Sequence, residues 1–222
     1  MARSIAIVSL GSGTGKTTLA LNLGLALHKL NHKVLIYDTD FTKKNMLEHL
    51  DIHDIPVNID QVLNGDAHIN DAIYTHVTGL KLLPSTIHNS NSKGYDKFSY
   101  HYQDLLADYE YILLDTPIQL PSLNIVLQNA NEAIIVHDPN HSSKIVMDAI
   151  NILSKLKITN LGVVLNSSSK DSVNTLFDYP IIEKIPLHKD ILKSYNLKNP
   201  LLYTYPQSKA AKHFHNIAKR LV

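Results

Sequence analysis

Apolar runs recur along this chain with room for a helix between one and the next. Seven of them read as strands, at residues 5–10, 34–37, 80–83, 111–114, 133–136, 161–165 and 181–185. Several lack in-out alternation, the pattern of strands covered on both faces. A helical period links the first two: Leu19, Leu23, Leu27 and Leu30 form one stripe of a helix predicted over 16–30, which Asn31-His32-Lys33 ends. After Asp138-Pro139 a second helix is expected, with Ser142 or Ser143 as cap and Ile145, Ala149, Ile152 and Leu156 as its buried stripe. A third runs from Ser208 to the end, with Ala210, Phe214, Ile217 and Leu221 on one side and Lys209, Lys212, Lys219 and Arg220 elsewhere. Being basic and amphipathic, it suits a membrane surface or a sheet-packed helix with solvated lysines; a stripe largely of alanine without tryptophan favours packing. Residues 89–97 carry the composition of a mobile loop. Alternating strands and helices predict an α/β fold: a doubly wound, mostly parallel sheet of about seven or eight strands with helices on both faces.

A length of 222 residues suits one domain spanning 1–222. With 44% hydrophobic and 18% charged residues the chain should be globular. It contains no cysteine, which excludes disulfides, iron–sulfur clusters and thiolate zinc sites and makes the cytoplasm the expected location. No charged segment followed by an apolar one opens the chain, and no apolar run approaches the roughly 18 residues of a membrane span. A net charge of +1 supplies no global field for nucleic acid. The 13 histidines are scattered without the spacing of a zinc site, and read as surface residues.

The candidate chemistry begins at Gly11-Ser12-Gly13-Thr14-Gly15-Lys16-Thr17-Thr18, between the first strand and the first helix. A glycine-rich turn closing on Gly-Lys-Thr at a helix start is a phosphate-binding loop. Glycines let backbone amides turn toward phosphate, the helix start adds unpaired N–H groups, Lys16 would neutralise β/γ-phosphate charge and the Thr17 hydroxyl would bind Mg²⁺. Leu10 stands where the usual spacing has its first glycine.

Two carboxylates end apolar strands, Asp38 after Val34-Leu35-Ile36-Tyr37 and Asp115 after Tyr111-Ile112-Leu113-Leu114. Nucleotide-binding sheets place ligand at such ends, and a carboxylate there needs a cation or donor. Asp38 and Asp115 are therefore candidate Mg²⁺ contacts, with Asp40 placed to orient a water against the γ-phosphate. The bland alternative for Asp38 and Asp40 is a capped turn using Thr39 or Thr42. The strand end at Leu165-Asn166-Ser167 lacks the Asn-Lys-x-Asp run that reads guanine; Asn166 suits the adenine edge, and Pro186 would wall the ring.

With those residues in hand, the chain resembles the MinD/ParA family of deviant-Walker ATPases, its MinD-like members most closely. The likeness also rests on Gln61-Val62-Leu63-Asn64-Gly65-Asp66, Asp71-Ala72-Ile73-Tyr74, Gly162-Val163-Val164-Leu165-Asn166 and Ser208-Lys209-Ala210-Ala211-Lys212. The resemblance implies Mg-ATP binding by 13–18, Mg²⁺ contacts from Thr17, Asp38 and Asp115, water positioning by Asp40 and adenine contact by Asn166. It further implies an ATP-dependent homodimer, an unidentified protein partner, and a nucleotide-gated switch. The chain departs from the family at three places. Gly11 replaces a signature lysine that reaches a partner's phosphates. Ile118-Gln119-Leu120 lacks a glycine that senses the γ-phosphate. The amphipathic tail that holds MinD on membranes is not found after the last helix. The first departure leads us to expect tight Mg-ATP binding with slow or no turnover, with Lys43 or Lys44 as substitutes for the lost cation. A non-hydrolysing adaptor is the alternative. A carboxylate-phosphorylating ligase lacks an arginine cluster, and a near-neutral chain argues against a DNA role.

Overall fold

The structure, a computed structural model, describes residues 2–42, 45–85, 93–168 and 179–222. Its framework is β1 (Arg3–Val8), α1 (Lys16–Lys29), β2 (Val34–Asp38), α2 (Asn45–Leu50), α3 (Ile59–Asn64), β3 (Tyr74–Thr75), β4 (Lys81–Leu83), α4 (Lys93–Tyr102) and β5 (Tyr111–Asp115). It continues with α5 (Leu120–Leu127), β6 (Glu132–His137), α6 (Lys144–Lys155), β7 (Thr159–Ser168), β8 (Ile181–Pro186), α7 (Lys189–Asn196), α8 (Leu201–Thr204) and α9 (Lys209–Leu221). One eight-stranded sheet has the order β3-β4-β2-β5-β1-β6-β7-β8, and the described pairings are parallel except β3 with β4.

Period-two alternation divides the sheet between two layers of helices. Ile5, Ile7, Val34, Ile36, Leu113 and Ile134 face α1 and α9, together with Leu19, Leu23, Leu27, Phe214 and Ile217. Their neighbours Leu35, Tyr37, Ile112 and Leu114 point the other way, against Val62, Tyr95 and Tyr102. Ala6, Val8 and Ile135 continue that face against Leu123, Val146 and Ile150. The expected doubly wound sheet is thus present. All residues of β2 and β5 are buried, which accounts for their unbroken apolar run.

Four local expectations change. Helix α1 is buried from Leu19 to Leu27 with no solvated face, because α9 and α8 pack against it in addition to the sheet, the Leu202 amide of α8 donating to Asn22, while Leu30 falls past its end and is 39% exposed. In α6 the fully buried residues are Val146, Ala149, Ile150 and Leu153, so the stripe is rotated from the predicted one and only Ala149 is shared. A helix rich in β-branched and long apolar residues fits several stripes, and the sheet selects one. Ser143 sits at the N-cap without a side-chain bond; the Ser142 hydroxyl accepts from the Lys144 amide at 3.3 Å. Finally, residues 89–92 of the expected loop lie outside the described residues, while Lys93 opens α4. Two-residue β3 is too short for periodicity to reveal.

The order β5-β1-β6 places β1 where connections turn to opposite sides of the sheet. A crevice opens at such a reversal, at the carboxyl end of the strands. The turn from β1 to α1, residues 9–15, lies there.

Candidate nucleotide-binding site

Backbone geometry makes the 11–18 loop a cradle. Gly13 has φ 68° and Gly15, the N-cap of α1, has φ 93°. A Cβ on Gly15 would stand 2.2 Å from Asn166 Nδ2, so both conformation and space demand glycine there. No side chain caps the amino end of α1, and its first turn holds no acidic residue. The backbone amides and positive dipole end of this 14-residue helix therefore face the cleft.

The cleft encloses about 390 Å³ and is lined by Ser12 to Thr18, Asp40, Asn166 and Pro186, all predicted from sequence. Its outer wall was not legible: Ile118 from the turn after β5, His49 from α2, and Leu187, Leu192 and Tyr195 around α7. The His49 and Tyr195 rings meet edge to face at 4.9 Å. No spacing announces these residues, since three separate elements bring them to one rim.

Three predicted residues stand behind the cleft. Asp115 accepts a 2.5 Å hydrogen bond from the Thr17 hydroxyl. Burial pushes its carboxyl up to about 6, opposed by the Lys16 charge and the Thr17 bond, with Asp40 adding a smaller upward push. Asp38, paired with Asp115 across β2 and β5, is fully buried. It accepts from the Asp40 amide on Oδ1 at 3.1 Å, and from the Met46 amide and the Ser85 hydroxyl on Oδ2 at 3.2 and 2.9 Å. Even so, burial and the neighbouring Asp115 hold it well above the ordinary carboxylate range. Gly11 is buried at the back of the loop; a Cβ there would stand 3.1 Å from Ile145 Cδ1 and Thr14 Cγ2, and 3.4 Å from His141 Nδ1.

Asp40 borders the cleft, its Oδ1 accepting from the Thr42 amide at 3.2 Å and the Thr42 hydroxyl at 2.5 Å. Asn166 has its amide nitrogen on the Thr14 carbonyl at 2.8 Å, bracing the phosphate loop as well as lining the cleft. Lys43 and Lys44 lie outside the described residues.

A divalent cation fits this chemistry. Two buried carboxylates with raised proton affinity lie behind a threonine hydroxyl that points toward them, so positive charge at Thr17 would relieve both. Among the described residues no three acidic or imidazole side chains converge as a ready metal cage. Mg²⁺ needs none, since it commonly takes one or two protein oxygens and completes its shell with phosphate and water. Among the described residues no helix is long and apolar enough to cross a membrane.

Known proteins share this fold. Residues 2–161 match the family described as an AAA domain. Septum site-determining protein MinD of Synechocystis is 30% identical over 241 residues, covering 100% of this chain and 90% of its own. The cell division ATPase MinD of Pyrococcus furiosus superposes with a TM-score of 0.90 at 29% identity, over 100% of this chain and 98% of that one. MinD of Pyrococcus horikoshii, solved as a complex with Mg-ADP, gives 0.89 at 29% identity, over 100% and 96%. The chain belongs to the MinD/ParA family of P-loop ATPases.

Proposed function

We propose that this protein binds Mg-ATP in the cleft at the end of β1 and acts as a slow ATPase, a nucleotide-dependent switch that regulates a protein partner. The observation that carries the reading is the uncapped start of α1 with Lys16 on the cleft and Thr17 bonded to Asp115. The amides of 13–17 and Lys16 would hold the phosphates. Thr17, backed by Asp115 and Asp38, would hold Mg²⁺, which supplies charge neutralisation between the β- and γ-phosphates when bound. Asn166 and Pro186, which line the cleft, would flank the base, and Leu187, Leu192 and Tyr195 would offer an apolar wall to it. Asp40 is the carboxylate on the rim suited to accept a proton from, and orient, a water.

A second reading, an adaptor that binds ATP without cleaving it, is favoured by one feature. Ile145, Thr14 and His141 crowd the Gly11 position, so no long cation can leave the loop there without displacing them. Phosphate release separates the two. A slow ATPase shows measurable turnover that falls at least tenfold in Asp40→Ala; a wild-type rate equal to that of the variant supports the adaptor. Sedimentation of the same samples with and without Mg-ATP tests the proposed homodimer, which an unchanged monomer would exclude.

A further inference from the structure

Asp40 sits on a short segment between β2 and α2, and one side chain from a distant helix holds that segment on both sides of it. The Tyr95 hydroxyl, on α4, donates to the Thr39 carbonyl at 3.0 Å and accepts from the Phe41 amide at 3.2 Å. Thr39 and Phe41 are the two residues that flank Asp40. A phenol offers one donor and two acceptor positions, so these two bonds use its donor and one of its acceptors. The Tyr95 ring is 5% exposed and lies 4.7 Å from the Phe41 ring, centroid to centroid, tilted by 38°. Burial pushes the phenol up to about 12, so it keeps its donor throughout the physiological range.

Both partners belong to the turn that leaves β2, whose last residue is Asp38. Thr39 also joins this turn to the end of β5, its amide and hydroxyl donating to the Asp115 carbonyl at 3.0 and 2.8 Å. Tyr95 adds α4 as a third point of support. Helix α4 is anchored in turn: the Lys97 amine donates to the Leu63 carbonyl on α3 at 2.6 Å, and Asn129, just after α5, donates to the Ser99 hydroxyl at 2.8 Å.

We propose that Tyr95 is the positioning residue for Asp40: its hydroxyl fixes the backbone on either side of that carboxylate and ties it to α4. The inference rests on the reading of Asp40 as the water-orienting group, because Tyr95 acts on turnover through Asp40 and touches no bound nucleotide itself. A misplacement of about 1 Å can cost a reaction up to about a hundredfold. Phenylalanine at 95 keeps the buried ring and removes the hydroxyl alone, leaving the phosphate loop unaltered.

The test is steady-state ATP turnover of wild type, Tyr95→Phe, Asp40→Ala and the double variant, together with amide hydrogen exchange without nucleotide. Tyr95→Phe should lower kcat about tenfold while KM for Mg-ATP stays within about twofold, and should cost nothing further in the Asp40→Ala background. Exchange at the Phe41 amide should accelerate at least tenfold, with β1 and β5 amides unchanged. An unaltered kcat, or the same fractional loss with Asp40 already removed, overturns the proposal. So does an unaltered Phe41 exchange rate, which decides the matter even if wild type hydrolyses nothing. A wild type that turns over normally, with Asp40→Ala unimpaired, would instead refute the role given to Asp40.

Discussion

At the residue scale, the site is a problem of buried charge. Asp38 and Asp115 lie side by side with the Lys16 amine and the Thr17 hydroxyl as the main relief for Asp115. The consequence is a pH dependence. The Asp115 carboxyl titrates at about 6 in the folded chain against 3.8 as its ordinary value. A group raised on folding contributes stability that is present below its unfolded value and lost as pH rises through its folded one. Asp115→Asn, which cannot ionise and keeps an acceptor for Thr17, should therefore gain on wild type between about pH 4 and 6. Above that it should stay ahead by an amount on the order of 2–3 kcal/mol. Asp38 works in the same direction, since its own upward push includes the Asp115 charge. Thermal unfolding of both proteins without nucleotide, across pH 4–8, measures the gap. A gap that narrows with rising pH contradicts this account of the site.

Residue types at this scale were legible unevenly. Gly-Lys-Thr and the strand-end aspartates have a signal in local spacing, and the structure brings Thr17 onto Asp115 with Asp38 beside it. Asn166 was read as an adenine contact; the structure puts it on the cleft with its amide nitrogen bracing Thr14, a contact across 152 positions that no local pattern encodes. Tyr95 read as loop decoration because its neighbours in sequence are polar; its function lies in where α4 delivers it.

At the scale of elements, the sandwich of β1 and β2, α1 and α9 positions the phosphate loop. Phe214 on α9 is 1% exposed and packs into the core shared with Leu19, Leu23 and Leu27 of α1. Phe214→Ala removes this contact and leaves a cavity, which should cost about 3–5 kcal/mol in urea unfolding. Nucleotide affinity per folded molecule should stay near wild type, because α9 does not line the cleft. A loss below about 1 kcal/mol would mean that α9 is not part of the cooperative core. Strand positions were well read from sequence since apolar runs four to six residues long between turn signals have few other solutions. Helix α3 was not predicted, although its start carries a local signal: Asn58 accepts from the Gln61 amide and Gln61 reaches back to the Asn58 amide, a capping box spaced three residues apart. The face that α6 buries was not predicted either, because its apolar residues satisfy more than one stripe.

At the scale of the whole molecule, the order of strands does what no segment does alone. By setting β1 between β5 and β6, it opens a crevice beside the uncapped start of α1 and closes its far side with α7. The outer wall of Leu187, Leu192 and Tyr195 follows from that topology, so it was invisible to a reading by motifs. Strand order itself was beyond the sequence pattern, which fixes the class of sheet and the ends at which ligand binds.

Calorimetric titration of ATP in Mg²⁺ into the wild-type chain and into Lys16→Ala is the most direct test. We predict saturable binding of one nucleotide per chain to the wild type, weakened about a hundredfold or more without the lysine. Absence of binding to the wild type, or equal affinity in the two proteins, would contradict the assignment of this cleft to a triphosphate.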